Sequence, residues 1–137
     1  MKYWLLKTEP GNWSWKDQVN SKNKNAEWSG VRNYQASENL KNMKKNDLCF
    51  FYHTGKEKRI VGIVKIIKEH FRDKSDKTNK FVSVIVRAED KLRKPITLKE
   101  IKNNEFFKEL VLVKQSRLSV MEIDIKYWKK ICKMGKM

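Results

Sequence analysis

Residues 48–67 read LCFFYHTGKEKRIVGIVKII and indicate the fold most clearly. Two apolar runs, 48–53 and 60–67, flank the polar stretch Gly55–Arg59, which is typical of a β-hairpin. Side chains of the first run alternate between two faces, and both sets are largely apolar. The second run is mostly β-branched, and its Gly62 predicts a bulge or the close approach of another element.

The segments before this hairpin predict one more strand and two short helices. Residues 2–7 are apolar and aromatic and precede a Pro-Gly pair, which indicates a first strand. The Ser14–Asp17 spacing matches a capping box and predicts a helix to about residue 19. Residues 20–27 are polar and are expected to form a loop. Helical apolar spacing over 36–43 predicts the second helix.

The segments after the hairpin predict further strands and two more helices. A charged loop over 72–80 is expected before a third β-branched run at 81–88. A second capping box, Thr97–Glu100, predicts a short helix, and Asp124 is expected to cap the last one. Between these helices, Phe106, Phe107 and Leu110 are expected to pack against the sheet. Residues 111–113 and 118–123 are expected to form closing strands.

These elements predict a single α+β, mainly β domain over residues 1–137. Two domains would each be short of a core at this length. The three consecutive strands are expected to pair as antiparallel neighbours. A small curled sheet or β-barrel, with short peripheral helices covering its ends, would bury their apolar faces best.

The charge of the chain favours a polyanionic partner. Its formal net charge is +16, from 32 Lys and Arg against 16 Asp and Glu, so nucleic acid is the first partner to consider. Only 6 of these cations are Arg and 26 are Lys, so codon bias toward AT-rich DNA is the alternative explanation.

Several other classes of protein are not expected. No run approaches the roughly 20 apolar residues of a membrane span, and the N-terminus does not resemble a signal peptide. Cys49 and Cys132 are expected to be reduced thiols, which indicates an intracellular, cytoplasmic protein, with nucleoid or nucleus as alternatives. Catalytic motifs and carboxylate pairs are missing, so we expect no enzyme and no cofactor.

The segment WSGVRNYQ at 28–35 is the leading candidate site. Aromatic rings here lie close in sequence to Arg and carboxamide groups, the side chains that stack on a base or read its edge. The alternative is structural, with a helix cap at Asn33 and core packing of the rings. The candidates are Trp28, Arg32, Asn33, Tyr34 and Gln35.

Two further segments offer candidates beside this one. The strand at 48–53 would end with Tyr52 or His53 at the mouth of a pocket. The alternative for His53 is a structural role, which is more common for a lone histidine. Cys49 lies on the same strand face as His53, but no further Cys or His completes a metal site. Gln115, Ser116 and Arg117 form a polar stretch between apolar segments. Their side chains are therefore expected to point into a cavity or to form hydrogen bonds with a neighbouring loop.

Charge pairing is the alternative for the charged residues of these segments. Arg117 is a candidate for phosphate contact, and a buried ion pair with Glu9 is the alternative. Glu9 itself is expected to pair with Arg32 or Arg117 rather than to accept a hydrogen bond from the amine of a base.

The chain resembles the EVE domain family of the PUA-like superfamily. The matching segments are collinear and span nearly the whole chain: YWLLKTEP (3–10), WSGVRNYQA (28–36), NLKNMKKNDLCFFYHT (39–54), IVGIVKI (60–66), PITLKEIK (95–102) and LVKQSRLSV (112–120). Asn12–Trp13 departs from the family pattern, so no role is assigned to it.

The resemblance implies a PUA-like β-barrel and a nucleic-acid reader, and we assume a monomer. An aromatic pocket would hold a modified base, with methylated or hydroxymethylated cytosine in DNA favoured. Asn33, Gln35 or Gln115 would read the base edge, and the other candidates of the three segments would line the pocket. An RNA-binding module, an enzyme of nucleic-acid or nucleotide metabolism and a non-binding interaction protein are the alternatives.

Overall fold

The computed structural model describes all residues, 1–137, as six β-strands and five α-helices. The strands are β1 (Tyr3–Thr8), β2 (Asn25–Trp28), β3 (Leu48–His53), β4 (Arg59–Arg72), β5 (Val82–Thr97) and β6 (Val120–Ile123). The helices are α1 (Trp15–Asn20), α2 (Tyr34–Asn42), α3 (Leu98–Lys102), α4 (Val111–Lys114) and α5 (Ile125–Met134). Short 3-10 turns lie at Lys22–Lys24 and Glu105–Phe107.

The six strands form one sheet in the order β2-β5-β4-β3-β1-β6. The pairs β3–β4 and β4–β5 are antiparallel, as the sequence predicts, whereas β1 and β3 are parallel. The mainly β, α+β fold is therefore confirmed. The edge strands β2 and β6 do not pair with each other, so the sheet is open and the closed barrel is not confirmed.

β3 lies in the middle of the core because both of its faces are covered. Phe50 stacks on Trp128 of α5 with ring centroids 3.8 Å apart. On the opposite face, the ring of Phe51 meets Trp15 and Trp28 edge-on at 5.3 and 5.5 Å. Removing these apolar surfaces from water supplies the main stabilisation of the fold.

Gly62 provides both features that its position in a strand predicts. The β3–β4 register shifts beside it, between Phe51 and Tyr52. A Cβ atom added at Gly62 would lie 2.5 Å from the ring of Trp15. The absence of a side chain at this position therefore lets α1 pack directly on β4.

The helix starts follow their capping residues. Both predicted capping boxes are present, Ser14 with Asp17 and Thr97 with Glu100, and Asp124 caps α5. α2 begins at Tyr34, two residues earlier than the apolar spacing predicts, because Asn33 accepts a hydrogen bond from the Ala36 N–H. None of the helices is both long and apolar enough to cross a membrane.

Three local predictions are wrong. Residues 25–28, predicted as mostly loop, form the edge strand β2, which β5 pairs despite its polar composition. Val111–Lys114, predicted as a strand, is the helix α4, because a short apolar run does not distinguish the two. Phe106 is 46% exposed and packs edge-on against Phe107 and Tyr127, while Phe107 and Leu110 are buried.

Candidate nucleic-acid interface

The candidate site lies where the parallel strands β1 and β3 end. Thr8 is in register with His53, so the loops that follow both strands leave the sheet at the same edge. The Thr54 N–H donates to the Thr8 carbonyl at 2.8 Å, and the Lys7 N–H donates to the Ser119 carbonyl at 2.9 Å. Four loops converge here as a result: those after β1, β2 and β3, and the one before β6.

The first cavity at this edge, which we term the aromatic cleft, has a volume of about 500 Å³. This volume lies within the range of small-ligand sites. Two tryptophan rings and a ring of polar groups form its walls. Its lining residues are Lys7, Thr8, Glu9, Asn12, Trp13, Glu27, Trp28, Ser29, Gly30, Val31, Arg32 and Ser119.

The two tryptophans of the aromatic cleft are fixed by the core behind them. Trp28 ends β2 and is only 7% exposed, so it is a wall of the cleft rather than a free platform. Trp13 is half-buried, and its indole N–H donates to Gln18 Oε1 at 2.9 Å. Because Gln18 is fully buried, this hydrogen bond anchors the ring of Trp13.

The loop after Trp28 is held by the buried carboxylate of Asp73. The Gly30 N–H donates to Asp73 Oδ2 at 2.8 Å, and Arg32 Nη1 donates to the same oxygen at 3.0 Å. Burial alone would raise the pKa of Asp73. Hydrogen bonds from Ser75, Gly30 and Arg32 outweigh burial and lower this pKa to about 2, so the carboxylate stays charged.

Glu9 makes no ion pair, which corrects the prediction of a partner at Arg32 or Arg117. Arg32 pairs with Asp73 instead, and Arg117 is exposed and has no acidic partner. The Glu9 carboxylate borders the aromatic cleft and accepts two long hydrogen bonds, from the Gly11 N–H at 3.3 Å and from Thr54 Oγ1 at 3.4 Å.

A second cavity, which we term the cationic cleft, shares four lining residues with the aromatic cleft. It has a volume of about 420 Å³, and four cations and one carboxylate line it. The shared residues are Lys7, Thr8, Glu9 and Ser119. The others are Tyr52, Thr54, Gly55, Lys58, Leu98, Lys102, Leu112, Ser116 and Arg117.

Lys7 lines both clefts and is half-buried. Its Nζ donates to the Ser116 carbonyl at 2.8 Å and lies 5.6 Å from the ring centroid of Tyr52. Burial lowers the pKa of Lys7 and raises the pKa of the buried Tyr52 to about 12. None of the four cations of the cationic cleft forms an ion pair within the protein.

The predicted carboxamide readers lie outside the aromatic cleft. Asn33, Gln35 and Gln115 line a shallower hollow of about 310 Å³ with Ser116 and Arg117. Asn33 uses its side-chain oxygen to cap α2. The expectation that these amides share one pocket with Trp28 is therefore wrong, because α2 carries Asn33 and Gln35 past the cleft.

Two other predicted residues line none of these three cavities. Tyr34 is 65% exposed, and its ring lies against Phe81 at 5.2 Å. His53 is buried, and both of its ring nitrogens are engaged: Nε2 accepts from the Trp15 N–H at 3.0 Å, and Nδ1 lies 2.9 Å from Glu57 Oε1. The alternative interpretation of His53 as a structural residue describes it best.

The site residues that the sequence analysis missed come mainly from the loops after β1 and β2. The missed residues that line the aromatic cleft are Thr8, Asn12 and Trp13 at and after the end of β1, Ser29 after β2 and Ser119 before β6. The available signal was the first strand running into a Pro-Gly turn and a tryptophan. A further hollow of about 500 Å³, near Lys2 and Lys44, has no aromatic wall. No group of three or more His, Cys, Asp or Glu side chains is placed to hold a metal ion.

Comparisons with known proteins show close relatives of the whole fold. The chain is 34% identical to chicken (Gallus gallus) thymocyte nuclear protein 1 over 88% of its length and spans 63% of that relative. The NMR structure of Rpa0253 from Rhodopseudomonas palustris is 40% identical, with a TM-score of 0.93 over 99% of this chain and 94% of that one.

A crystal structure of human THYN1 protein in complex with DNA containing 5-methylcytosine is also similar. It has a TM-score of 0.93 at 27% identity and covers 100% of this chain and 99% of that one. The EVE domain model matches residues 2–134. The chain therefore belongs to the EVE domain family.

Proposed function

We propose that this protein binds nucleic acid and reads a modified base, with modified cytosine in DNA as the favoured ligand. The observation that carries the proposal is the aromatic cleft, which opens beside four cations that form no ion pair within the protein. The similarity to human THYN1, crystallised with 5-methylcytosine DNA, supports the same conclusion.

The aromatic cleft would take a single base that has left its stack. Extruding a base from a duplex costs a few kcal/mol, and stacking on an aromatic ring returns about 1–3 kcal/mol. Trp13 supplies the stacking surface and Trp28 the wall beside it, and both need little reorganisation because Gln18 and Phe51 already hold them. Pre-positioned walls reduce the entropic cost of binding.

The cationic cleft would hold the phosphates next to that base. Lys58, Lys102 and Arg117 have no acidic partner to give up, so contact with a phosphate costs no internal ion pair. This part of the binding should be insensitive to sequence and should weaken as salt concentration rises. Lys7, shared by both clefts, would contact the nucleotide whose base is held.

We propose a binding role without catalysis, and an intracellular location where nucleic acid is present. The open six-stranded sheet with its peripheral helices supports a PUA-like architecture, which the family resemblance implies and which is part of the proposal.

The proposal is tested by fluorescence anisotropy with oligonucleotides that differ only in one cytosine or 5-methylcytosine. We expect tighter binding of the modified form by a modest factor, because one methyl group contributes about 1–3 kcal/mol. Trp13→Ala should reduce this affinity strongly. Phe106→Ala, at an exposed aromatic ring beside Tyr127, is the matched control and should leave it unchanged.

Equal binding of both oligonucleotides by the wild-type protein would contradict the proposal. Tighter binding of structured RNA of equal charge would favour the RNA-binding alternative instead.

A further inference from the structure

Two aromatic walls cannot by themselves separate 5-methylcytosine from thymine. Both pyrimidines carry a methyl group at C5, so a niche that accepts this methyl group accepts both. They differ at the neighbouring edge, where cytosine presents an N4 amine as donor and thymine presents O4 as acceptor. A reader of modified cytosine therefore needs a hydrogen-bond acceptor at this edge.

Two acidic residues, Glu9 and Glu27, line the aromatic cleft. Glu27 precedes Trp28 on β2, so its side chain leaves the strand on the opposite face from the tryptophan ring. Glu9 follows β1 at the point where the aromatic and cationic clefts meet. Of the two, Glu9 is the carboxylate that lies between a base-binding wall and a phosphate-binding surface.

The carboxylate of Glu9 lies in a pocket, which we term its seat, between the backbones of Gly11 and Gly55. Gly55 has a positive φ of 75°, and a Cβ atom there would lie 2.6 Å from Glu9 Oε2. At Gly11, a Cβ atom would lie 3.7 Å from Glu9 Oε1, in ordinary contact. The Gly11 N–H and the Thr54 hydroxyl complete the seat on the same two oxygens.

This seat leaves most of the acceptor capacity of Glu9 unused. An ionised carboxylate offers about four lone-pair positions on its two oxygens. The two bonds that Glu9 accepts are long, at 3.3 and 3.4 Å, and no Lys or Arg lies within ion-pair distance of its carboxylate. A carboxylate without an ion-pair partner beside aromatic walls attracts an amine and repels a carbonyl oxygen.

We infer that Glu9 is the specificity-determining residue that accepts a hydrogen bond from the exocyclic amine of a cytosine-type base and rejects a thymine-type base. This inference rests on the proposed function, since it requires a base in the aromatic cleft. Glu9 is then the reader of the base edge, rather than the carboxamides of Asn33, Gln35 and Gln115, because those amides line a different hollow.

The test measures a ratio of affinities. Single-stranded oligonucleotides with 5-methylcytosine or thymine at one position are titrated against the wild-type protein and the Glu9→Gln variant. The wild-type protein should prefer 5-methylcytosine by roughly tenfold, which is within the range of one specific base contact. Glu9→Gln should lose this preference because its amide donates to O4 as readily as its oxygen accepts from N4.

The ratio separates edge reading from general electrostatics. Removing a negative charge strengthens the binding of every oligonucleotide alike and leaves the ratio unchanged. Asp90→Asn, which removes the same charge at an exposed carboxylate that lines neither cleft, should therefore keep the wild-type ratio. Glu9→Ala is a second variant that should also lose the preference, and circular dichroism checks that each variant is folded.

Three outcomes overturn the inference. A folded Glu9→Gln protein that keeps the wild-type ratio excludes Glu9 as the reader, although the proposed function survives. A wild-type protein that binds both oligonucleotides tightly and equally also excludes Glu9 as the reader and leaves the proposed function standing. A wild-type protein that binds neither one overturns the proposed function together with the inference.

Discussion

Trp28 joins the hydrophobic core to the candidate site. Its ring packs edge-on against Phe51 on one side, and its remaining surface borders the aromatic cleft. A side chain with both contacts contributes to stability as well as to binding. The effect of its removal on nucleic-acid affinity therefore has to be separated from its effect on the fold.

Trp28→Ala should lower the free energy of unfolding by about 3–5 kcal/mol, as expected for deleting a large buried aromatic side chain. Urea denaturation followed by circular dichroism measures this loss. Trp13→Ala should cost clearly less, because Trp13 is only half-buried. If the two variants lose equal stability, the description of Trp28 as a core residue is wrong.

Asp73 is a second residue whose single carboxylate organises the site. Its pKa of about 2 lies below the ordinary value of 3.8, so it binds fewer protons in the folded state than in the unfolded state. The stability it contributes is therefore fully present above about pH 4 and is lost as the pH falls toward 2.

Asp73→Asn should flatten this acid loss and reduce stability at neutral pH by about 1–3 kcal/mol, because an amide cannot accept the hydrogen bonds of Gly30, Arg32 and Ser75 as fully as a carboxylate. Thermal unfolding between pH 2 and pH 7 measures both effects. An unchanged pH profile in the variant would show that other carboxylates carry the acid sensitivity.

At the scale of the elements, the packing of α1 on β4 depends on Gly62. We expect Gly62→Ala to destabilise the protein by about 1–3 kcal/mol, because the added methyl group overlaps the ring of Trp15. Chemical denaturation measures the change. The double variant Gly62→Ala with Trp15→Leu should cost less than the sum of the two single changes; additive costs would argue against this contact.

Elements with strong local signals were predictable from the sequence. The β3–β4 hairpin, both capping boxes and the Asp124 cap follow from residues near each other in the chain. β2 and α4 were not predicted because their conformation depends on what they pack against. β2 is a polar edge strand that exists through pairing with β5, and α4 is four residues long.

At the scale of the whole molecule, the site could be predicted only in part. Trp28 and Arg32 were found because one segment contains both of them, and they do line one cleft. The positions of Trp13 and Glu9 beside Trp28 depend on how β1 and β2, which are not neighbours, are placed in the sheet, and no local pattern reveals this. The ten predicted residues instead fall into three neighbouring cavities and two positions outside them.

The distribution of charge gives a prediction at the same scale. Lys102→Ala should weaken binding of every nucleic acid alike and lower the slope of log affinity against log salt by about 1, as loss of one phosphate contact requires. Lys133→Ala is the matched control on α5, the helix whose Trp128 stacks on Tyr3 at the other end of β1. Equal effects of both variants would indicate that net charge alone drives binding.

The central claim, that a base enters the aromatic cleft, is tested most directly by NMR of the five tryptophan indole N–H groups. On addition of an oligonucleotide with one 5-methylcytosine, we expect large shifts for Trp13 and Trp28. The signals of Trp4, which donates to Asp47, and of Trp128, which stacks on Phe50, should stay in place. Saturable binding that leaves Trp13 and Trp28 unshifted would contradict the claim.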